Sequence, residues 1–454
     1  TTEIYTLSLH DALPISRSYG EVYRRARQLA QALRSRAGVK TGDAVATLCW
    51  NHAWHLECYF GIPAAGAVTH TLNLRLSAED LAYIIEDAGD TLLLVDDVLL
   101  PIWERVKPLL KRDLRVVVIP FSGEPVPEGY ERYEDFIDLD ASAYQYPDVP
   151  ETSAAAMCYT SGTTGRPKGV VYSHRSMVLH AVTGCMPDIF ALSCRDRVLL
   201  VTPMFHANAW AVPYSAMMVG ATLVMPGPHL GGEDLLDLIE STRATMSLGV
   251  PTVWMMVLQA LEKPTRQRDL PSGIRMLVAG SAVPIALIER FAHHGMQVMQ
   301  GWGMTEMSPL GTFGLDRPSH AALTLAERHA LTATQGVPVP LVDLRLVDEH
   351  GQPQPWDGVA VGEVQVRGNW VAASYHGLAP TSDKFTGDGW LRTGDMAILN
   401  AEGHMRIVDR SKDLIKSGGE WISSVDLENL VMGHPGVAEA AVVNGSVPST
   451  WRTW

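Results

Sequence analysis

The chain is short of cysteine, carries no surplus of positive charge and has no long apolar run. Its five cysteines (Cys49, Cys58, Cys158, Cys185 and Cys194) show no short paired spacing. That points away from a disulfide-stapled fold and towards free thiols in a reducing cytosol. The formal net charge of −14 argues against a nucleic-acid-binding surface. The most apolar stretch, residues 209–226, is broken by Pro213 and Gly220. It is a poor membrane span and reads as a buried helix followed by a strand. There is no G-x-S-x-G elbow and no H-R-D or D-F-G segment, which sets aside serine hydrolases of that type and protein kinases. No internal repeat or low-complexity tract is visible.

What is present is an ordinary balance of 46% hydrophobic and 19% charged residues over 454 positions. That is enough for roughly two to three domains. One stretch stands out: YTSGTTGRPKGV, residues 159–170. Glycines let a ligand approach bare backbone N–H groups, and a run of such groups makes an anion-binding concavity. Thr160, Ser161, Thr163 and Thr164 add hydroxyl donors around Gly162 and Gly165, and Lys168 adds a compact positive charge suited to phosphate. The spacing is not that of the P-loop, because Pro167 precedes the lysine and Gly169 follows it.

From residue 17 to about residue 310, strand-like and helix-like stretches alternate. A first series of apolar runs lies at 43–49, 67–72, 91–95 and 114–119, and a second at 198–202, 221–225, 245–249, 275–279 and 297–300. Such alternation implies α/β layers with largely parallel sheets and ligands at the carboxyl ends of strands. Ser18 with Glu21, and Ser77 with Asp80, mark helix starts. Strands dominate from 342 to 368, as in a small antiparallel or barrel-like unit. In WNHAWHLEC, residues 50–58, His52, His55 and Glu57 invite a zinc reading, but packed or partly exposed histidines fit better because no second ligand cluster accompanies them.

Seven ordered motifs carry a resemblance: the loop continued as YTSGTTGRPKGVVYSH (159–174), PMFHANAW (203–210), AGSAVP (279–284), QGWGMTEMSP (300–309), GEVQVRG (362–368), GWLRTGD (389–395) and DRSKDLIKSGGEWISSVDLE (409–428). With them the chain resembles the adenylate-forming superfamily of acyl- and aryl-CoA synthetases, most of all bacterial medium- and long-chain fatty acyl-CoA ligases. The resemblance implies an α/β fold: a large N-terminal domain of two α/β subdomains plus a small β-barrel-like subdomain, spanning 17–408. A hinge at 409–413 and a partial, small α+β C-terminal domain at 414–454 follow. It also implies ATP, Mg²⁺ and coenzyme A as cosubstrates and a fatty acid as substrate; an aryl-CoA ligase, a ligase that loads a carrier protein, and a non-catalytic nucleotide- or acyl-binding fragment are the alternative readings.

By the same resemblance, Thr160, Ser161, Gly162, Thr163, Thr164, Gly165 and Lys168 grip phosphates. Thr305 and Glu306 sit beside the α-phosphate, with Glu306 binding Mg²⁺. Asp395, assisted by Arg410, takes the ribose. Gly280, Ser281, Gly301, Trp302 and Gly303 frame adenine. His206, Trp210, Gly303 and Met304 line the acyl pocket. Ser411 and Lys412 lie at the hinge, and Lys416, Gly418, Gly419, Glu420 and Trp421 meet coenzyme A. From their residue types alone, Thr305-Glu306 also suits a helix cap, Asp395 a turn, Trp302 a core aromatic and Trp210 plain packing.

Both ends depart from this pattern. Residues 1–16 resemble a translated sequencing-library adapter, are read as a non-native segment and are left out of the fold reasoning. After Gly445 nothing matches the family's Gly-Lys segment, so slow adenylation is expected. The cytoplasm is the expected compartment, with peripheral association at the inner membrane. The oligomeric state stays open, a homodimer included.

Overall fold

The computed structural model describes residues 3–6, 15–160, 165–314 and 317–411, together with 415–417, 420–422, 424, 427–428, 431, 437, 440 and 442. The first helix shows how the sequence pattern becomes packing. Ser18 accepts a hydrogen bond from the Glu21 N–H and starts the helix Tyr19–Ser35. Val22, Ala26, Leu29, Ala30 and Leu33 fall on one buried face at helical spacing. That face packs against the helix Ala53–Ala64. Ser77 caps the helix Ala78–Ala88 through the Asp80 N–H, and Gly89 ends it in the left-handed conformation.

Two large sheets form the body. In the seven-stranded one, Ala44–Leu48, Val68–Thr71, Leu92–Asp96 and Arg115–Ile119 run parallel, as the apolar runs predict. It continues through Ala154–Tyr159 to an antiparallel edge strand, Gly169–Ser173. In the nine-stranded one, Arg197–Leu200, Thr222–Met225, Met246–Gly249, Ile274–Val278 and Met296–Gly303 form a parallel centre. Strands buried on both faces need continuous apolar runs, and these have them.

Within residues 1–16, Glu3–Thr6 pairs parallel to Thr222–Met225 and antiparallel to Ile15–Ser18. Ile4 is fully buried there. The physical reason is the open edge of the strand Thr222–Met225, whose unpaired backbone groups accept a further strand, and a β-branched side chain fills the space beneath it.

The small unit is a four-stranded antiparallel sheet of Val342–Val347, Gly362–Gly368, Leu391–Leu399 and Met405–Arg410. It joins the nine-stranded sheet through the Gly336–Met405 bridge. A two-stranded hairpin, Ile415–Ser417 with Glu420–Ile422, follows. One apolar cluster runs through both large sheets and the small one, including Leu56, Val170, Leu200, Leu248 and Val364. Among the described residues no helix is long and apolar enough to cross a membrane.

Candidate active site

The glycine-rich loop connects the paired strands Ala154–Tyr159 and Gly169–Ser173. Its neck is closed twice: the Thr160 N–H donates to the Lys168 carbonyl at 3.0 Å, and the Lys168 N–H donates to Thr160 Oγ1 at 3.1 Å. Ser161, Gly162, Thr163 and Thr164 lie outside the described residues. Gly165 follows in the left-handed region at φ 145°. Lys168 is exposed, with Nζ 5.0 Å from the centre of the Tyr375 ring.

Glu306 lies at the carboxyl end of the strand Met296–Gly303, in the short turn Thr305–Met307. The chain folds back tightly here: a Cβ on Gly303 would stand 1.7 Å from the Pro309 carbonyl oxygen, so only glycine fits. Thr305 and Glu306 are both buried. The Thr305 carbonyl accepts from the Tyr172 hydroxyl at 2.7 Å, and Glu306 Oε1 accepts from the Tyr375 hydroxyl at 2.6 Å. Burial, first, and the Glu306 charge, second, push the Tyr375 hydroxyl well above its ordinary pKa, so it stays a protonated donor.

Asp395 pairs across the small sheet with Arg410, whose Nε lies 3.7 Å from Oδ1. Oδ2 accepts from the Trp302 indole N–H at 2.8 Å. Burial raises the Asp395 pKa, against the opposing pull of Trp302 and Arg410. Trp302 is 7% exposed and belongs to the apolar core. Its tie to the site is therefore the indole N–H on Asp395. Gly280 and Ser281 are exposed and follow the strand Ile274–Val278, with Gly280 at φ 95°. Gly301 is buried in the strand that also carries Trp302.

The expected acyl segment takes an unusual form. Ala207, Asn208, Ala209, Trp210 and Ala211 all have positive φ, from 42° to 59°, forming a left-handed turn before the helix Val212–Val219. Each such residue costs about 1–2 kcal/mol relative to the right-handed form. All five are buried. Cys158, one residue before the loop strand ends, donates its thiol to Asn208 Oδ1 at 3.0 Å. Trp210 and Met304 both pack in or against the large apolar cluster. Burial and the Arg75 charge lower the His206 pKa, which keeps that ring neutral.

Ser411 is exposed, and its N–H donates to the Gly394 carbonyl at 2.8 Å. Lys416 and Trp421 are backbone partners in the register of the final hairpin, where Glu420 begins the second strand. Lys412, Gly418 and Gly419 lie outside the described residues.

Two clusters gather metal-type ligands: Cys49, His52 and Asp96, and His320, Glu402 and His404. In each, a histidine Nδ1 accepts a backbone N–H at 3.1 Å, from His55 onto His52 and from Arg317 onto His320. A neutral ring accepting at Nδ1 carries its proton on Nε2, which leaves no lone pair there for a metal. His52 Nε2 accordingly meets Asp96 Oδ1 at 2.8 Å. Glu57 is held by Arg17, by Arg25 at 2.7 Å and by the Tyr133 hydroxyl at 3.0 Å. The zinc-like string 50–58 is packing and buried ion pairing.

The structure thus joins Lys168, Tyr375 and Glu306 in one group, and Trp302, Asp395 and Arg410 in another. Tyr172, Tyr375 and Asn208 were not singled out from sequence. Tyr375 falls between the motifs at 362–368 and 389–395, and only its aromatic character in a polar, small-residue stretch marks it.

Comparison with known proteins identifies the family. The family described as AMP-binding enzyme matches residues 8–376. A long-chain-fatty-acid–CoA ligase from Thermus thermophilus is 49% identical over 94% of this chain and 77% of its own length. A 3-methylmercaptopropionyl-CoA ligase from Ruegeria pomeroyi is 44% identical over 92% of this chain and 77% of its own. Among solved structures, an anthranilate CoA ligase in complex with anthranoyl-AMP superimposes with a TM-score of 0.83 at 27% identity, covering 97% of this chain and 81% of that one. The chain belongs to the AMP-binding enzyme family, within the adenylate-forming superfamily.

Proposed function

We propose that this chain is an ATP-dependent acid–CoA ligase whose acid is a fatty acid. A carboxylate oxygen attacks the α-phosphorus of ATP, forming the acyl-adenylate and releasing pyrophosphate. The coenzyme A thiolate then attacks the acyl carbon, and AMP leaves. No protein nucleophile is required.

The first step brings two anions together. Unit charges about 4 Å apart repel by about 4 kcal/mol at an effective dielectric near 20. Positioned donors have to offset that, so the work is largely orientation and electrostatic stabilisation. In this reading Thr160 to Lys168 hold the β- and γ-phosphates, with Thr305 beside the α-phosphate. Asp395 and Arg410 take the ribose, and the backbone of Gly280, Ser281, Gly301 and Gly303 frames adenine. Tyr375 occupies only one oxygen of the Glu306 carboxylate. A single carboxylate suits Mg²⁺, which keeps waters and nucleotide phosphates as its other ligands. When bound, that ion supplies charge neutralisation on the phosphates. Ser411 and Lys412 form the hinge, and residues 416–421 meet coenzyme A.

The observation that carries the fatty acid reading is that the segment 207–216 shares one apolar cluster with Trp302, Met307 and Leu310. The acid therefore lies against hydrocarbon, with a neutral His206 at its edge. The identity to the long-chain ligase supports it. The test is pyrophosphate release with ATP and Mg²⁺ across straight-chain acids from hexanoate to octadecanoate, set beside 3-methylmercaptopropionate and anthranilate. A maximum within the alkyl series is expected. A clear preference for the thioether acid or the aromatic acid overturns the fatty acid reading.

A further inference from the structure

The stretch 369–376 belongs to none of the seven motifs, yet it is bonded to both halves of the site. The Trp370 indole donates to the Leu310 carbonyl at 2.9 Å, and the Ser308 hydroxyl donates to the Trp370 carbonyl at 3.2 Å. The Ala372 N–H donates to the Glu306 carbonyl at 2.8 Å. Tyr375 then reaches the Glu306 carboxylate at 2.6 Å. One residue later, the His376 N–H donates to the Gly169 carbonyl at 2.8 Å, at the exit of the glycine-rich loop. The approach there is close: a Cβ on Gly169 would stand 2.9 Å from the His376 Cβ.

The Tyr375 ring has the Lys168 ammonium 5.0 Å from its centre, and its hydroxyl bonds Glu306. It is 7% exposed. A lysine and a glutamate free to meet would form an ion pair, and each would lose its capacity for an external partner. A tyrosine between them prevents this. Its face attracts the ammonium through the ring quadrupole. Its hydroxyl donates to one oxygen of the carboxylate and so fixes it without neutralising it.

We infer that Tyr375 is a positioning residue that presents Glu306 to the nucleotide's divalent cation while holding Lys168 off that carboxylate, ready for phosphate. This rests on the reading of Glu306 as the cation-binding carboxylate given above. Tyr375→Phe keeps the spacer and removes the donor. Tyr375→Leu removes both.

The experiment is calorimetric ATP binding by the full chain, titrated with Mg²⁺, for the parent, Tyr375→Phe, Tyr375→Leu and Glu306→Gln, with thermal unfolding to confirm that each is folded. In Tyr375→Phe the Mg²⁺ concentration for half-maximal enhancement of binding rises by about tenfold, the size of one hydrogen bond to a charged group. Its affinity for ATP without Mg²⁺ stays at the parent value. In Tyr375→Leu the metal-free affinity falls as well, and adding Glu306→Gln restores it by freeing Lys168. Parent-like Mg²⁺ dependence in Tyr375→Phe, with Glu306→Gln defective, overturns the inference and leaves the role of Glu306 standing. Parent-like Mg²⁺ dependence in Glu306→Gln overturns that role, and the inference with it.

Discussion

The indole Nε1 of Trp302 donates a 2.8 Å hydrogen bond to Oδ2 of Asp395, joining positions 93 residues apart in the chain. It ties the strand Met296–Gly303 of the nine-stranded sheet to the small antiparallel sheet. It also leaves a half-buried carboxylate whose pKa is raised, because desolvation outweighs the help from Trp302 and Arg410. A raised carboxyl pKa favours the protonated fold. Its contribution is fully present below the ordinary carboxylate pKa and is lost as pH rises through the folded-state value. Asp395→Asn removes that loss while keeping an oxygen for the indole. The expected outcome is higher thermal stability than the parent at neutral and alkaline pH, with the gain shrinking as the solution is acidified through the carboxylate range. ATP binding by the same variant falls, if Asp395 takes the ribose as proposed. Thermal unfolding against pH checks the first part and calorimetry the second.

Asn208 sits at φ 50° and ψ 42° inside the left-handed turn and accepts the Cys158 thiol at 3.0 Å. Asparagine tolerates this conformation better than alanine does, and glycine tolerates it best. Asn208→Ala is therefore expected to cost about 1–2 kcal/mol of stability, from backbone strain on top of the lost thiol contact. Asn208→Gly loses the same contact without the strain and falls less. Urea midpoints for the two variants give the comparison, and equal losses would show that the turn relaxes in the alanine variant.

Glu57 is fully buried, with Arg17, Arg25 and the Tyr133 hydroxyl around it. Arg25 continues the network to Glu134 at 2.8 Å, and those partners hold its charge firmly. Removing one member of such a network strands the others. Glu57→Gln is expected to destabilise by about 3–5 kcal/mol. The parent's stability should not respond to zinc or to a chelator, because the histidines nearby are committed to hydrogen bonds. A chelator-dependent unfolding temperature would revive the zinc reading.

How much of this was legible in the sequence follows from range. The helix caps at Ser18 and Ser77 and the parallel strands are local patterns, and each appears where its period places it. The place of Glu306 at the carboxyl end of a strand was legible too, because the glycine at 303 follows an apolar run and precedes it. What was not legible depends on tertiary contact. Nothing local tells that Tyr375 reaches Glu306, 69 residues away. The left-handed turn at 207–211 contains no glycine, the usual signal for positive φ, and it reads as ordinary helix. Trp302 read equally as an adenine platform or as core, and only its burial and its bond to Asp395 place it in the core.

The segment at residues 3–6, left out of the fold reasoning as a string, has a place in the sheet that is open to test. In the structure Ile4 pairs with Leu223 on one side and Arg17 on the other, and its side chain has no solvent exposure. Arg17 in turn reaches the buried Glu57, so the hairpin that Ile4 begins also positions one arm of the ion network. A strand added to an open edge contributes through backbone pairing, which any sequence supplies, and through the side chain it buries, which is specific. Ile4→Ala removes only the second. It should cost about 2 kcal/mol, the lower end for emptying a buried aliphatic site, because a strand one place in from the sheet edge can settle into part of the space. Ile4→Asp, placing an unpaired charge in the same slot, should cost more and release the pairing with Thr222–Met225. Amide hydrogen exchange across residues 222–225 reads that release directly. Unchanged stability and unchanged protection in both variants would mean that this strand holds through its backbone alone and that Ile4 is incidental to it.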